Sequence, residues 1–132
     1  MNRSLTLLAG MLLSFGSTAY AATPADACAH LGEARTHLVA MVDEADPTKL
    51  DGLKAKVHAA SDMLEKDLAA MASGPDAAKV RAFKPVWEAF KATRENEIIP
   101  ALYAGDKEKA KGLATGVQAG RMKEMKGAMG CQ

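Results

Sequence analysis

The 132-residue chain has few aromatic residues, only two cysteines and almost no excess of charge of either sign. The formal net charge is +1 and the two signs are interspersed, which argues against nucleic acid or an anionic membrane surface as the main partner. No segment has the pattern of a β-strand. Alanine, lysine, glutamate, leucine and methionine are abundant instead, and this composition is typical of an all-helical protein.

Sequence motifs of catalysis are also missing. There is no serine elbow, no nucleotide-cradling glycine loop and no pair of carboxylates clearly placed on one inward face. Asp67 comes nearest to an inward acid, and its position predicts a place at the edge of the helix seam. We therefore expect that the protein is not an enzyme.

The first 22 residues have the features of a secretory signal peptide. Arg3 gives a positive start, residues 5–15 form a short apolar run, and residues 19–21 are an A-x-A site with the cut expected after Ala21 or Ala22. An uncleaved anchor is the rival interpretation, but the interrupted run is shorter than the roughly 20 apolar residues of a spanning helix. No later segment is long and apolar enough either. The sequence thus predicts a periplasmic protein with no stable membrane span in the mature chain.

Removal of residues 1–22 leaves about 110 residues, enough for one domain with its own core. Residues 1–22 contain one of the 17 basic residues and none of the 16 acidic ones, so the remainder is formally neutral. Turn and cap residues divide this remainder into segments in which apolar residues recur at three- and four-residue steps. The helix start and stop signals are Thr23-Pro24, Asp46-Pro47, Gly74-Pro75 and Gly105-Asp106.

These signals predict four helices, of which the third contains two helix-distorting residues, Pro85 and Pro100. Connections of only a few residues make neighbouring helices run antiparallel. The predicted fold is therefore all-α, a single antiparallel up-down-up-down four-helix bundle over residues 23–132. The predicted helices are at about 24–45, 47–72, 75–103 and 107–129.

The fourth predicted helix contains a row of glycines at four-residue intervals, Gly112, Gly116 and Gly120. Each glycine in a helix interior costs about 0.8–1 kcal/mol relative to alanine. The row either allows close packing, within the bundle or across a dimer, or marks a weak and mobile helix. The residues of this helix that are expected to face inward are Ala110, Leu113, Val117, Met122, Met125 and Met129.

Both cysteines, Cys28 and Cys131, lie in the exported part of the chain. A cysteine pair in an oxidising compartment usually forms a disulfide. In the predicted bundle, the start of helix one and the end of helix four lie at the same end. The sequence therefore predicts a disulfide that ties the two ends of the domain together.

Residues 83–114 contain the most specific pattern in the chain. The pattern consists, in order, of Trp87, Phe90, Arg94, Ile98-Ile99, Ala104-Gly105-Asp106, Ala110 and Leu113. This order resembles the second half of the four-helix-bundle sensor domain of bacterial methyl-accepting chemotaxis receptors, and the resemblance extends at lower fidelity over the mature chain. It implies a domain outside the inner membrane that dimerises and binds small metabolites between helices or at the dimer interface. We expect this chain to depart from the pattern, because the sequence shows no second spanning helix or signalling part after helix four.

Arg94, together with Trp87 and Phe90, is the candidate ligand site. A partly shielded arginine could clamp a carboxylate ligand through two parallel hydrogen bonds. Alternatively, Arg94 lies on the helix surface, where it pairs with Glu88 or Glu97 or packs over Phe90.

A second set of residues suggests a metal or haem site. Methionine, cysteine and histidine suit Cu(I), and a histidine facing a methionine could hold haem iron, here His30 with Met125 or Met129. Methionines at helical spacing more often fill gaps in a core, and two nearby cysteines more often form a disulfide. No cofactor is therefore predicted, with haem b or copper as the alternative. The residues of this alternative site are Cys28, His30, Met122, Met125, Met129 and Cys131.

Together these features lead us to expect a non-catalytic periplasmic four-helix-bundle protein of the chemoreceptor sensor-domain type. Its expected partner is a small-molecule ligand or a periplasmic protein, and it is a possible homodimer. The alternative is a haem- or copper-binding bundle, such as a cytochrome-like electron carrier. A purely structural or chaperone-like helper is a third possibility.

Overall fold

The computed structural model describes residues 20–132. The signal-peptide prediction for residues 1–22 therefore lies almost wholly outside the described residues. Within residues 20–132 the secondary structure is entirely helical, with no strand. The helices are α1 (Pro24–Asp43), α2 (Leu50–Met71), α3 (Ala77–Thr93), α4 (Ile99–Tyr103), α5 (Lys107–Thr115) and α6 (Val117–Met129).

Short irregular turns join several of these segments into longer helices. A 3₁₀ turn, Pro47–Lys49, leads directly into α2, and a π-helical turn, Arg94–Ile98, connects α3 to α4. Gly116 alone separates α5 from α6. Counted in this way, the described part of the chain has four helices, and their packing makes a four-helix bundle.

Local capping interactions explain where the helices begin. Thr23 and Asp26 form a reciprocal capping box at the start of α1. The Asp46 side chain accepts a hydrogen bond from the Thr48 amide at 3.0 Å, and Asp106 accepts one from the Lys109 amide at 3.1 Å. The predicted cap residues Thr23, Asp46 and Asp106 thus satisfy backbone N–H groups that have no partner inside the helix.

Two glycines in the left-handed conformation end helices and redirect the chain. Gly105 has φ +78°, and the Asp106 amide bonds the Ala101 carbonyl at 2.8 Å, which closes α4 with a Schellman motif. Gly130 has φ +75°, and the Cys131 amide bonds the Lys126 carbonyl at 2.8 Å in the same way. The second motif turns the chain at the end of α6 and positions Cys131.

The helices pack unequally around one apolar core. Helix α1 lies along α2, and α3 lies along α6, whereas α2 and α3 approach each other at only a few points. In the core, the Trp87 ring stacks on Phe90 at a centroid distance of 5.8 Å and lies 6.5 Å from Phe83. The sparse contact between α2 and α3 leaves an open groove on that side of the bundle.

The fourth helix departs from its predicted register. Val117 was expected to face inward, but it is 45% exposed. The interruption at Gly116 shifts the register, and Gln118 is buried instead, with Nε2 donating to the Phe90 carbonyl at 2.8 Å. The prediction for Val117 is therefore wrong. Within residues 20–132, no helix is both long and apolar enough to cross a membrane.

Candidate functional site

The predicted ligand residues Trp87, Phe90 and Arg94 lie next to one another on α3 and the π turn. All three are buried, and Arg94 is only 1% exposed. The guanidinium carbon of Arg94 lies 5.6 Å from the centre of the Trp87 ring, in the geometry of a cation–π contact. The Phe90 ring stacks on the Trp87 ring inside the core. Trp87 also forms part of the wall of a groove between α2 and α3.

Arg94 makes polar contacts with two neighbouring side chains. Its Nη1 donates to Ser61 Oγ on α2 at 2.7 Å, and its Nε and Nη2 each lie 2.9 Å from Glu95 Oε1. Burial lowers the pKa of Arg94 while the nearby Glu95 carboxylate opposes that shift. The surface pairing with Glu88 or Glu97 that the sequence suggested is wrong, because the guanidinium turns inward and bonds Glu95 instead.

Glu95 joins buried Arg94 to the surface. Its Oε1 also accepts a hydrogen bond from His58 Nε2 on α2 at 2.8 Å. The side chains of His58 and Glu95 are 43% and 36% exposed, whereas the Arg94 side chain is 2% exposed. Ser61 continues the network inward by donating to the Val57 carbonyl at 2.8 Å. A connected set of polar side chains therefore crosses from solvent into the space between α2 and the π turn.

A second ion pair, between Glu65 and Lys91, joins α2 to α3. Glu65 accepts a hydrogen bond from the Lys91 ammonium and another from Trp87 Nε1 at 3.2 Å. Burial raises the pKa of Glu65, but the bonds from Lys91 and Trp87 outweigh burial and hold the pKa below its ordinary value. The bond to Glu65 in turn raises the pKa of Lys91. Both groups therefore remain charged at neutral pH.

These side chains border two adjoining depressions, the first between α2 and α3 and the second on the surface of α3 and the π turn, which together we call the α2–α3 groove. The first has a volume of about 270 Å³ and an apolar floor. The second has a volume of about 280 Å³ and is lined by Glu88, Lys91, Ala92, Arg94 and Glu95. Glu88 and Lys91 belong to both. The residues that line the first depression are Glu65, Leu68, Ala69, Ala72, Val80, Lys84, Trp87, Glu88 and Lys91.

Asp67 forms a separate polar cluster at the disulfide end of the bundle. It is fully buried, so the prediction that it lies at the edge of the seam is wrong. Its carboxylate accepts hydrogen bonds from the Tyr20 hydroxyl at 2.6 Å and from His30 Nδ1. Lys66 packs over the Tyr20 ring, with its ammonium 4.1 Å from the ring centre. Tyr20 lies within the predicted signal peptide, so in a processed chain His30 would be the remaining side-chain partner of Asp67.

The residues of the alternative metal site do not form a set of free ligands. Cys28 and Cys131 form the predicted disulfide, with their Cα atoms 5.7 Å apart, so neither sulfur is a free thiolate. The imidazole Nδ1 of His30 is bonded to Asp67. In the part of the chain that the structure describes, no group of three or more histidine, cysteine, aspartate or glutamate side chains could hold a metal ion. The buried methionines that pack in the core near this end are Met122, Met125 and Met129.

No family model, no curated protein and no solved structure matches this chain. These comparisons therefore lend no support to the resemblance to chemoreceptor sensor domains, which rests on the sequence pattern that is strongest in residues 83–114.

Proposed function

We propose that this protein is an exported, non-catalytic four-helix-bundle protein of the chemoreceptor sensor-domain type, which binds a small ligand in the α2–α3 groove. The observation that carries this proposal is the combination of an apolar floor, the Trp87 indole and the Glu65–Lys91 ion pair in one open groove. Ligand sites commonly have apolar walls and a few convergent polar groups. Buried Arg94 lies beside that wall and adds a fixed positive charge.

We further propose the antiparallel up-down-up-down order for the bundle. His30, near the start of α1, bonds Asp67, near the end of α2. Tyr103, at the end of α4, bonds Asp51, at the start of α2. Both pairings support opposite directions for the helices concerned, and the disulfide between residues 28 and 131 supports neighbouring chain ends.

The unequal packing supports a role in sensing. The backbones of α1 and α2, and those of α3 and α6, lie close together along their length, but the backbones of α2 and α3 come close at few points. A ligand bound between α2 and α3 would contact both pairs and could change their relative position by competing for the side-chain bonds that join these two helices. A periplasmic partner protein or a second copy of the chain could read that change.

The test is a thermal-unfolding screen of the purified protein against a library of small metabolites. A ligand present at 100 times its Kd stabilises the folded state by about 2.7 kcal/mol, which gives a clear rise in Tm. Trp87, the only tryptophan of the chain, reports binding in the groove through its fluorescence. The absence of any shift across the library would count against ligand binding.

A matched pair of lysine variants locates the binding site. Lys91→Gln removes a charge that lines both depressions, whereas Lys126→Gln removes an exposed charge on α6. We expect the ligand-induced rise in Tm to fall in the first variant and to persist in the second. Equal loss in both variants would place the ligand elsewhere.

The visible absorption spectrum of the protein as isolated tests the alternative function. A Soret band, or copper at one equivalent per chain, would favour a haem- or copper-binding bundle that uses His30 with Met125 or Met129. A colourless protein without bound metal, together with a ligand-induced rise in Tm, agrees with the sensor-type proposal.

A further inference from the structure

We infer that the ligand of the α2–α3 groove carries a carboxylate, and that Glu95 occupies the place on Arg94 which the ligand's carboxylate takes. The inference rests on the proposed function and narrows it to a class of ligand. Arg94 is buried and charged, whereas the side chain of its counter-ion Glu95 is about one-third exposed. The pair therefore consists of a fixed cation inside the bundle and an anion whose other side faces solvent.

The way in which Glu95 binds Arg94 leaves room for a better partner. Arg94 Nε and Nη2 both contact the same oxygen, Glu95 Oε1, which also accepts the hydrogen bond from His58. An arginine bonds a carboxylate best when two N–H groups meet two separate oxygens in parallel. Adjacent residues of a helix do not face each other, so Glu95 is poorly placed to present both oxygens to Arg94. A free carboxylate has no such restraint.

Exchange of one carboxylate for another also avoids the main cost of opening a buried ion pair. A buried charge that loses its partner is strongly destabilising. If a ligand carboxylate replaces Glu95, the guanidinium keeps a counter-ion and Ser61 keeps its bond to Nη1. The displaced Glu95 side chain moves toward solvent, where water and His58 can satisfy it.

Space for the incoming group exists at the same place. The depression of about 280 Å³ is lined by both Arg94 and Glu95, and Lys91 contributes a second positive charge. Two carboxylates already share that charge, because Lys91 bonds Glu65 and pairs with Glu88, one turn earlier on α3, at 3.6 Å. The backbone offers an independent indication, because Arg94 begins a π-helical turn in which its carbonyl bonds the Ile99 amide. Such turns occur frequently at functional sites.

The experiment compares Glu95→Gln with Glu97→Gln, an exposed glutamate on the same π turn. Sodium acetate and sodium succinate are the probes, and sodium chloride at equal ionic strength is the reference. Binding is followed by Trp87 fluorescence and by Tm. We expect the carboxylates to bind Glu95→Gln about tenfold more tightly than the unsubstituted protein, a difference of about 1.4 kcal/mol, and Glu97→Gln to behave like the unsubstituted protein. Equal affinities for all three proteins would overturn the inference.

A second variant keeps the test decisive if Glu95→Gln does not fold. His58→Ala removes the exposed restraint on Glu95 and leaves the Arg94 counter-ion in place. We expect it to bind acetate several-fold more tightly than the unsubstituted protein, and an unchanged affinity would contradict the inference. Arg94→Gln is expected to lose the carboxylate response altogether.

The outcomes separate this inference from the proposed function. If the metabolite screen finds no ligand but Glu95→Gln binds acetate tightly, the carboxylate site exists and the sensing proposal fails. If the screen finds a groove ligand that has no carboxylate and that Glu95→Gln binds unchanged, the sensing proposal stands and the inference fails.

Discussion

Asp67 is an example of a single side chain on which stability depends. It is fully buried in α2 and accepts hydrogen bonds from Tyr20 and His30. Oδ1 of Asp67 bonds the Tyr20 hydroxyl and Oδ2 bonds His30 Nδ1, so in Asp67→Asn the N–H₂ group that replaces one oxygen either faces one of these donors or, in a processed chain without Tyr20, is left buried without an acceptor. We expect the free energy of unfolding to fall by about 1–3 kcal/mol, the usual cost of an unsatisfied buried group. Urea denaturation measures the change.

Asp62→Asn is the matched control for this prediction, because Asp62 is exposed on the same helix. A surface substitution of this kind changes stability by less than about 0.5 kcal/mol. If both variants unfold at the same urea concentration as the unsubstituted protein, the buried bonds of Asp67 do not contribute to stability.

Protonation of Glu65 makes the stability of the folded bundle depend on pH. Burial raises its pKa, but the stronger combined effect of Lys91 and Trp87 lowers the pKa below the ordinary value of 4.5. The unfolded chain therefore binds this proton more readily than the folded protein does. The resulting stabilisation is present above pH 4.5 and is lost as the pH falls from there through the folded-state pKa. We expect Tm to drop across this range.

Comparison of two glutamate variants tests whether Glu65 causes that fall in Tm. In Glu65→Gln the decrease of Tm between pH 5 and pH 3 should be smaller than in the unsubstituted protein, because one linked proton is removed. Glu124→Gln, an exposed change on α6, should follow the unsubstituted curve. A parallel decrease in all three proteins would show that other carboxyl groups control the acid sensitivity.

At the scale of the helix, local signals predict where an element begins and ends. Thr23, Asp46 and Asp106 are predictable as caps because each capping bond joins residues only two or three positions apart. The π turn at Arg94–Ile98 is harder to predict from the sequence. Its one local signal is Pro100, which lacks the N–H that would bond the Asn96 carbonyl, and this absence does not specify a wider turn.

Gly116 tests whether the glycine row of the fourth helix has a structural role. A Cβ atom at Gly116 would lie 2.7 Å from the carbonyl oxygen of Gly112, a backbone atom that cannot move aside easily. At Gly112 and Gly120 a Cβ atom would meet no other atom within 4 Å. The row therefore does not mediate close packing between the described helices, and only its middle member has a steric reason to be glycine.

We expect opposite effects of alanine at these positions. Gly116→Ala should lower the free energy of unfolding by about 1–3 kcal/mol, as an overpacked site does. Gly112→Ala and Gly120→Ala should each raise it by about 0.5–1 kcal/mol, because alanine loses less backbone freedom in a helix. Urea denaturation of the three variants measures both signs. A stabilising Gly116→Ala would show that α5 and α6 can join into one regular helix.

At the scale of the whole molecule, the four helices and the pairing of the two cysteines could be predicted, but the site could be predicted only in part. Ser61 lies four residues after Val57 and Asp67 lies three residues after Leu64, a spacing compatible with the seam of α2, yet the sequence predicted only the edge of the seam for Asp67, because the spacing does not show that His30 satisfies its carboxylate. Sequence does not reveal that Arg94 bonds Glu95, since neighbours in a regular helix point apart. Nor does it reveal the groove, which depends on how loosely α2 and α3 approach.

The disulfide between Cys28 and Cys131 constrains the whole molecule, because it joins residues 103 positions apart. In the chain-entropy model, closing a loop of about 100 residues contributes about 4.7 kcal/mol, and loss of such a bond from a small exported domain typically costs 2–5 kcal/mol. A loss of 2–5 kcal/mol corresponds to a fall in Tm of roughly 8–30 °C for a domain of this length. We expect this fall in the double variant Cys28→Ser with Cys131→Ser.

Reductant provides the control for this prediction. Dithiothreitol should lower the Tm of the unsubstituted protein to that of the double variant, and it should leave the variant unchanged. Because the bond acts mainly on the unfolded chain, the folded helix content measured by circular dichroism should be the same in both proteins well below their Tm values. Two titratable thiols in the unreduced folded protein, or equal Tm values for both proteins, would mean that the chain ends are held together by helix packing alone.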